Sequence, residues 1–248
     1  MENTEKSRFG LVGKNISYSF SKGYFTQKFK DLGLDHHSYE NYDLAAIEDF
    51  QDLIQLNKDL KGLNVTIPYK ELVIPYLDKI NPKAEKIGAV NTIKFIKKGL
   101  KGFNTDIYGF KKSIQPFLKK RHKKALILGT GGASKAVAFV LDELGIKFKY
   151  VSRNPKINQF GYTDLNEEIV NKYTVLVNCT PQGTFPNIAD KPDIPYHFIT
   201  NKHLLFDLIY NPEKTAFLQE GEKRGASISN GLRMLELQAE KSWEIWNS

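Results

Sequence analysis

Two side chains in this sequence have the chemistry to move a proton on and off an alcohol. Lys70 closes the segment Gly62-Leu63-Asn64-Val65-Thr66-Ile67-Pro68-Tyr69-Lys70, and Asp106 closes Asn104-Thr105-Asp106. Val65 and Ile67 alternate with Asn64 and Thr66, as at the end of a strand. Pro68 suits the first turn of a following helix, where its missing N–H costs nothing. Lys70 is therefore expected at a strand-to-helix corner, where open α/β sheets place their ligand-binding groups. Asn64, Thr66, Asn91 and Asp106 stand at expected strand or hairpin ends and, with Lys70, suit a small polyhydroxylated acid better than an apolar ligand. Each has a plainer reading: an exposed helix-start lysine for Lys70, a helix N-cap for Asp106, turn formers for the others.

Other residues offer binding chemistry. Ser17 and Ser19 are spaced by two, so on an extended segment their hydroxyls point the same way and can hold a carboxylate; a helix cap is the alternative. Gly129-Thr130-Gly131-Gly132-Ala133 lies between an apolar run and an amphipathic helix. Small residues there let a pyrophosphate approach the backbone, and the helix N-terminus offers its N–H groups to the charge. A tight turn that binds nothing is the bland reading. At the end of the next strand, where an acid would receive the ribose of NAD, the chain reads Val151-Ser152-Arg153-Asn154. Arg153 can grip a 2′-phosphate through charge-assisted hydrogen bonds, with Ser152, Asn154 and Lys156 adding donors, which favours NADP over NAD. A solvated surface arginine is the alternative.

The elements that must position these groups follow from periodicity. Residues 9–12, 36–42, 60–67, 89–96 and 100–104 read as strands, the last two as a hairpin around Lys97-Lys98-Gly99. Tyr24, Phe25 and Phe29, then Leu44, Ile47, Phe50, Leu53 and Ile54, form helical stripes. A second unit starts near Lys123: strands at 125–128, 148–151, 175–177 and 204–208, and a helix whose face is Ala133, Ala136, Val137, Val140, Leu141 and Leu144. This is the strand order of a nucleotide-binding unit. Residues 231–246 form a last amphipathic helix. The fold class is α/β, with an N-terminal, mainly parallel α/β domain and a C-terminal Rossmann-type domain. The boundary falls in the segment 105–118.

The totals set limits. The 248 residues suffice for one large or two modest domains. The formal net charge of +8 fits phosphate-bearing small molecules. No aromatic-interleaved basic motif suggests RNA binding, so nucleic acid is not an expected partner. No apolar stretch is long enough to span a bilayer, and residues 1–8 are polar with no signal segment behind them. The single cysteine, Cys179, excludes an internal disulfide framework. His36-His37 has no partner cluster, so no metal is expected. A cytoplasmic protein without membrane partners is the expectation.

Six blocks resemble one family in its order: residues 64–70, Gly88-Ala89-Val90-Asn91-Thr92, Asn104-Thr105-Asp106, Gly129-Thr130-Gly131-Gly132-Ala133, Asn178-Cys179-Thr180-Pro181-Gln182-Gly183, and residues 230–239. They look like the signature blocks of the shikimate dehydrogenases and span nearly the whole chain. The resemblance implies reversible NADPH-dependent reduction of 3-dehydroshikimate to shikimate, in aromatic amino acid biosynthesis. It implies a shikimate-binding catalytic domain (residues 1–105 plus 230–248), an NADP-binding Rossmann domain (106–229), and a last helix that returns to the first domain. It makes Lys70 and Asp106 the catalytic pair, gives the substrate carboxylate to Ser17 and Ser19, and gives the ring hydroxyls to Thr66, Asn91, Asp106 and Gln238. Gly129, Gly131, Gly132 and Ala133 would face the pyrophosphate, and Ser152, Arg153 and Asn154 the adenosine phosphate. Asn178, Thr180, Tyr210 and Gly231 would lie near the ribose–nicotinamide end. The chain departs from the family pattern at Ile16, Thr130, Asn154 and Thr184. A quinate or dual quinate/shikimate dehydrogenase on the same fold is one alternative, and a non-catalytic NADP-sensing regulator another. A monomer or homodimer acting on a small-molecule substrate is expected.

Overall fold

The computed structural model describes residues 6–17 and 19–248; residues 1–5 of the polar N-terminal segment, and Tyr18, lie outside them. The chain divides into two compact units. The first comprises the residues up to Thr105 together with Ala239–Ser248, and the second is Asp106–Gln238.

In the first unit the elements run β1 (Ser7–Gly13), α1 (Phe20–Asp31), β2 (His37–Asp43), α2 (Phe50–Leu56), β3 (Leu60–Val65), α3 (Tyr69–Leu72), β4 (Lys79–Ile80), α4 (Pro82–Ile87), β5 (Thr92–Ile96) and β6 (Gly99–Phe103). They build a 6-stranded sheet in the order β2-β1-β3-β5-β6-β4. β1 is parallel to β2 and β3, β4 is parallel to β6, and β5 and β6 form the expected antiparallel hairpin. Side chains alternate across each strand. Phe9 and Leu11 enter an aromatic cluster with Phe25, Phe29 and Tyr39, while Val12 joins Phe50, Leu63, Val65 and Ile93 on the other face. Both faces are covered, which is why β1 reads as a nearly continuous apolar run.

The second unit contains α5 (Asp106–Ile114), β7 (Lys124–Leu128), α6 (Gly132–Glu143), β8 (Lys147–Ser152), β9 (Phe160–Gly161), α7 (Glu167–Lys172), β10 (Val175–Asn178), β11 (Leu204–Asp207), α8 (Ala216–Glu222), β12 (Ser227–Ser229) and the start of α9 (Leu232–Trp246). Its 6-stranded sheet has the order β12-β11-β10-β7-β8-β9, and every pairing is parallel. Strand order turns back between β7 and β10, the switch point at which doubly wound sheets open a ligand crevice beyond the strands' C-terminal ends. Ala125, Leu126, Ile127 and Leu128 are fully buried at the centre.

The later cut between units falls inside α9, between Gln238 and Ala239. The reason is packing. A Cβ on Gly231 would lie 2.1 Å from the Leu208 carbonyl oxygen, and one on Gly109 would lie 2.5 Å from the Met234 carbonyl oxygen. The first part of α9 is therefore pressed against β11's exit and against α5. Its second part enters the first unit's core through Ala239 and Trp246, so the last helix does return there. Among the described residues, no helix is long and apolar enough to cross a membrane.

Candidate active site

Lys70 sits in α3, directly after β3. Pro68 occupies the N-cap position rather than the first turn. Two ties fix the corner. Tyr69 is buried and donates its hydroxyl to the Leu44 carbonyl at 2.7 Å, and the Lys70 carbonyl accepts from the Val90 N–H at 2.7 Å. The segment carrying Val90 is a junction. Asn91 N–H donates to the Phe103 carbonyl at 3.0 Å, the Asn91 carbonyl accepts from Val65 N–H at 2.9 Å, and Asn104 Nδ2 donates to the Ala89 carbonyl at 3.0 Å. Asn91 Oδ1 accepts from the Thr105 N–H at 2.7 Å and from Thr105 Oγ1 at 3.2 Å. Lys70, Asn91 and Thr105 are thus anchored to one knot of backbone within the first unit.

Asn64 has a different job from the ligand role open to it in the sequence. It accepts from the Tyr39 hydroxyl at 2.8 Å and donates through Nδ2 to the Asn91 carbonyl, Thr92 Oγ1 and Ser242 Oγ. Its side chain is 3% exposed. With Thr92 and Thr105 it forms a buried polar network that ties α9 through Ser242 to β3 and β5. Such networks cost much if left half-satisfied and fix one packing when complete.

Ser19 caps α1, its Oγ accepting from Ser21 N–H at 3.1 Å. That leaves the hydroxyl proton for a ligand, so the capping and carboxylate readings are compatible. The turn before it is held to β2: Asp43 accepts from Asn15 N–H at 2.9 Å and Ile16 N–H at 3.2 Å, and Asn41 Nδ2 donates to the Ile16 carbonyl at 3.0 Å. Ser17 is exposed at its end.

In the second unit Asp106 is the first residue of α5, one position inside the N-cap, and is 6% exposed. Gly109, about one turn further on, packs on Gln238, which is itself buried. Asp106 and Gln238 therefore flank one helix crossing.

The proposed cofactor groups fall on strand ends. Val151, Leu128, Asn178 and Asp207 are register partners across β8, β7, β10 and β11. The loops after these strands emerge side by side, over three spacings of about 4.8 Å, roughly 14 Å in all. The first carries Ser152, Arg153 and Asn154, with Ser152 Oγ accepting from Asn154 N–H and Arg153 exposed. The second is the glycine loop. Gly129 has φ of +96°, and Gly131 is the N-cap of α6, so no side chain caps that helix. A Cβ on Gly131 or Gly132 would meet no protein atom within 4 Å, so packing does not explain those glycines, and the backbone there is open to a close approach. The residues present fit a dinucleotide pyrophosphate.

The third and fourth loops follow β10 and β11. Asn178 is fully buried; its Oδ1 accepts from Thr180 N–H at 3.0 Å and Thr180 Oγ1 at 2.7 Å, and its Nδ2 donates to Asp207 Oδ1 at 3.0 Å. Asn178 organises the loop of Thr180 instead of reaching solvent. Tyr210 is 36% exposed on the loop after β11, and Gly231 N–H donates to the Ile209 carbonyl at 3.0 Å beside it. Asp207, unremarked in the sequence, is fully buried, and burial pushes its carboxyl up to about 6 despite donors from Thr215, Ile209 and Asn178. The only available signal was an acid ending the apolar run Leu204–Asp207. Burial also pushes the Cys179 thiol up, with Asp207's charge adding to it, so this cysteine is no thiolate nucleophile at neutral pH. Among the described residues, no group of three or more His, Cys, Asp or Glu could hold a metal ion.

Known proteins share both the sequence and the fold. Residues 11–93 match the family described as shikimate dehydrogenase substrate binding domain. The chain is 40% identical over 251 residues to a shikimate dehydrogenase (NADP(+)) of Clostridium beijerinckii, covering 96% of this chain and 91% of that protein. It superposes with a TM-score of 0.88 on a chorismate mutase/shikimate 5-dehydrogenase fusion protein from Clostridium acetobutylicum, at 35% identity, covering 98% of this chain and 91% of that one. The TM-score is 0.85 to the shikimate 5-dehydrogenase of Thermus thermophilus in complex with NADP(H) and shikimate, at 31% identity over 97% of this chain and 93% of that one.

Proposed function

The chain belongs to the shikimate dehydrogenase family, and from that premise we propose that Lys70 and Asp106 carry the proton transfer of an alcohol–ketone interconversion. The protein is an NADP-dependent oxidoreductase acting on a CH–OH group: it reduces 3-dehydroshikimate to shikimate, reversibly, in the shikimate pathway. NADPH, when bound, supplies the hydride. Residues 1–105 and 230–248, with Asp106, hold the substrate, and residues 106–229 hold NADP.

Lys70, as an ammonium, donates a proton to the ketone oxygen; in the reverse direction the neutral amine takes the proton from the hydroxyl. Asp106 accepts a hydrogen bond from that hydroxyl and orients it. What supports the pairing is the knot around Asn91. Lys70's backbone is bonded to Val90, and Asn91's side chain is bonded to Thr105, the residue before Asp106 and one Cα step of about 3.8 Å from it. Because Asn91 Oδ1 is occupied by Thr105, Asn91 would meet a ring hydroxyl through Nδ2. Thr66 and Gln238 supply further contacts to ring hydroxyls, and Ser17 and Ser19 donate to the carboxylate. Gly129, Gly131, Gly132 and Ala133 offer backbone to the pyrophosphate. Arg153, with Ser152 and Asn154, pairs with the 2′-phosphate. Thr180, Tyr210 and Gly231 border the nicotinamide end, and Asn178 acts there through Thr180. The enzyme works in the cytoplasm as a monomer or homodimer on this small molecule, without nucleic acid or membrane.

An absorbance assay at the NADPH band tests this. Shikimate with NADP should give turnover well above quinate with NADP and above shikimate with NAD. Equal rates with quinate would move the assignment to the dual-specificity class, and NADP binding without turnover on any pair would favour an NADP sensor.

A further inference from the structure

We infer that Asp207 is a positioning residue for the nicotinamide end of the cofactor site, holding the loops after β10 and β11 in one arrangement. The inference rests on the proposal that Thr180 and Tyr210 border that end. Asp207 Oδ1 accepts from Asn178 Nδ2 at 3.0 Å and from Ile209 N–H at 3.0 Å; Oδ2 accepts from Thr215 Oγ1 at 2.6 Å. One carboxylate thus bonds the end of β10, the residue before Tyr210, and the N-cap of α8.

The choice of an acid has a structural consequence. A carboxylate only accepts, so Asn178 must turn its NH₂ toward Asp207 and its carbonyl oxygen toward Thr180. That oxygen then takes both the N–H and the hydroxyl of Thr180. Asp207 therefore holds, together with the Thr180 N–H and the Gln182 carbonyl, the amide that fixes the Thr180 hydroxyl, a group it does not itself touch. A purely structural account is weaker. The site is fully buried, and its desolvation works against the charge that the acid carries. Neighbours bonded by apolar contacts would hold the core without that cost, but they would leave the buried Asn178 Nδ2 with only its long 3.5 Å contact to the Gln182 carbonyl.

Steady-state kinetics of Asp207→Ala and Asp207→Asn, with melting temperatures, test the inference. Asp207→Ala should raise KM for NADP several-fold, as the loops bordering the cofactor lose their shared carboxylate, and lower kcat, with KM for shikimate unchanged. Asp207→Asn, which keeps the shape and one acceptor oxygen, should recover most of the loss but still show a raised KM for NADP at a melting temperature no lower than the wild type's. A folded Asp207→Ala protein with wild-type NADP kinetics, or with equal losses for both substrates, would overturn the inference. If Asp207→Ala does not fold, Asp207→Asn decides: wild-type NADP kinetics there would make Asp207 a folding residue only. Thr180→Val and Tyr210→Ala test the underlying proposal separately. If both leave NADP kinetics intact, the loop assignment fails whatever Asp207 does.

Discussion

At the scale of residues, Lys70 carries the strongest chemical commitment. General acid–base assistance is worth about 10²–10⁴-fold, so Lys70→Ala should lower kcat by that factor in the NADPH assay, with a much smaller change in KM for shikimate. Near-normal turnover would remove Lys70 from the mechanism. The motif made this lysine visible because its neighbours are local: an alternating strand end, a proline and a helix start within a few residues. Asn64 and Asp207 were not visible in the same way. Asn64 is bonded to Ser242 across 178 residues, and Asp207 to Asn178 across 29. A buried polar residue declares itself only when distant partners arrive, and no spacing rule reports that.

At the scale of elements, Ser19 serves two purposes that can be separated. Removing the α1 cap costs about 1 kcal/mol, so Ser19→Ala should lower the melting temperature whereas Ser17→Ala should not. The double variant should raise KM for shikimate at least roughly ten-fold, from lost hydrogen bonds to a charged carboxylate. An unchanged KM would leave Ser19 as a cap alone. Elements that bury a repeating face were legible from the chain: β1, β3, β7, β8, β10 and β11, the β5–β6 hairpin, α6 and α9. The short ones were not. β4, β9 and β12 are two or three residues long and exist because β6, β8 and β11 offer them edges. α4 and α7 are each capped by an asparagine, Asn81 and Asn166, but their six residues carry too little periodicity to stand out.

At the scale of the whole molecule, stability should respond to acid in two opposed ways. Glu220 is held down to about 2, chiefly by its hydrogen bond with Arg224, so its contribution is present above the ordinary glutamate range and is lost as pH falls toward 2. Asp207, raised by burial from 3.8 to about 6, has the reverse sign: its contribution is present below about 3.8 and is lost as pH rises through 6. Asp207→Asn should therefore gain stability relative to the wild type between about pH 4 and about pH 7, read from urea midpoints; a constant difference across that range would contradict the raised value. Trp246 is a second lever. Its ring lies 4.9 Å from Phe9 and 5.3 Å from Phe25, and its Nε1 donates to the Ile93 carbonyl at 3.0 Å. Trp246→Ala should destabilise the first unit by about 3–5 kcal/mol in denaturant titrations, with the second unit's transition in place. The passage of α9 into that core also bears on synthesis. A ribosome releases the entire second sheet before it makes Ala239–Ser248, whose Trp246 and Ser242 complete the earlier unit. The usual vectorial order, in which the leading domain folds first, is reversed: the first unit cannot close its core until that last segment emerges.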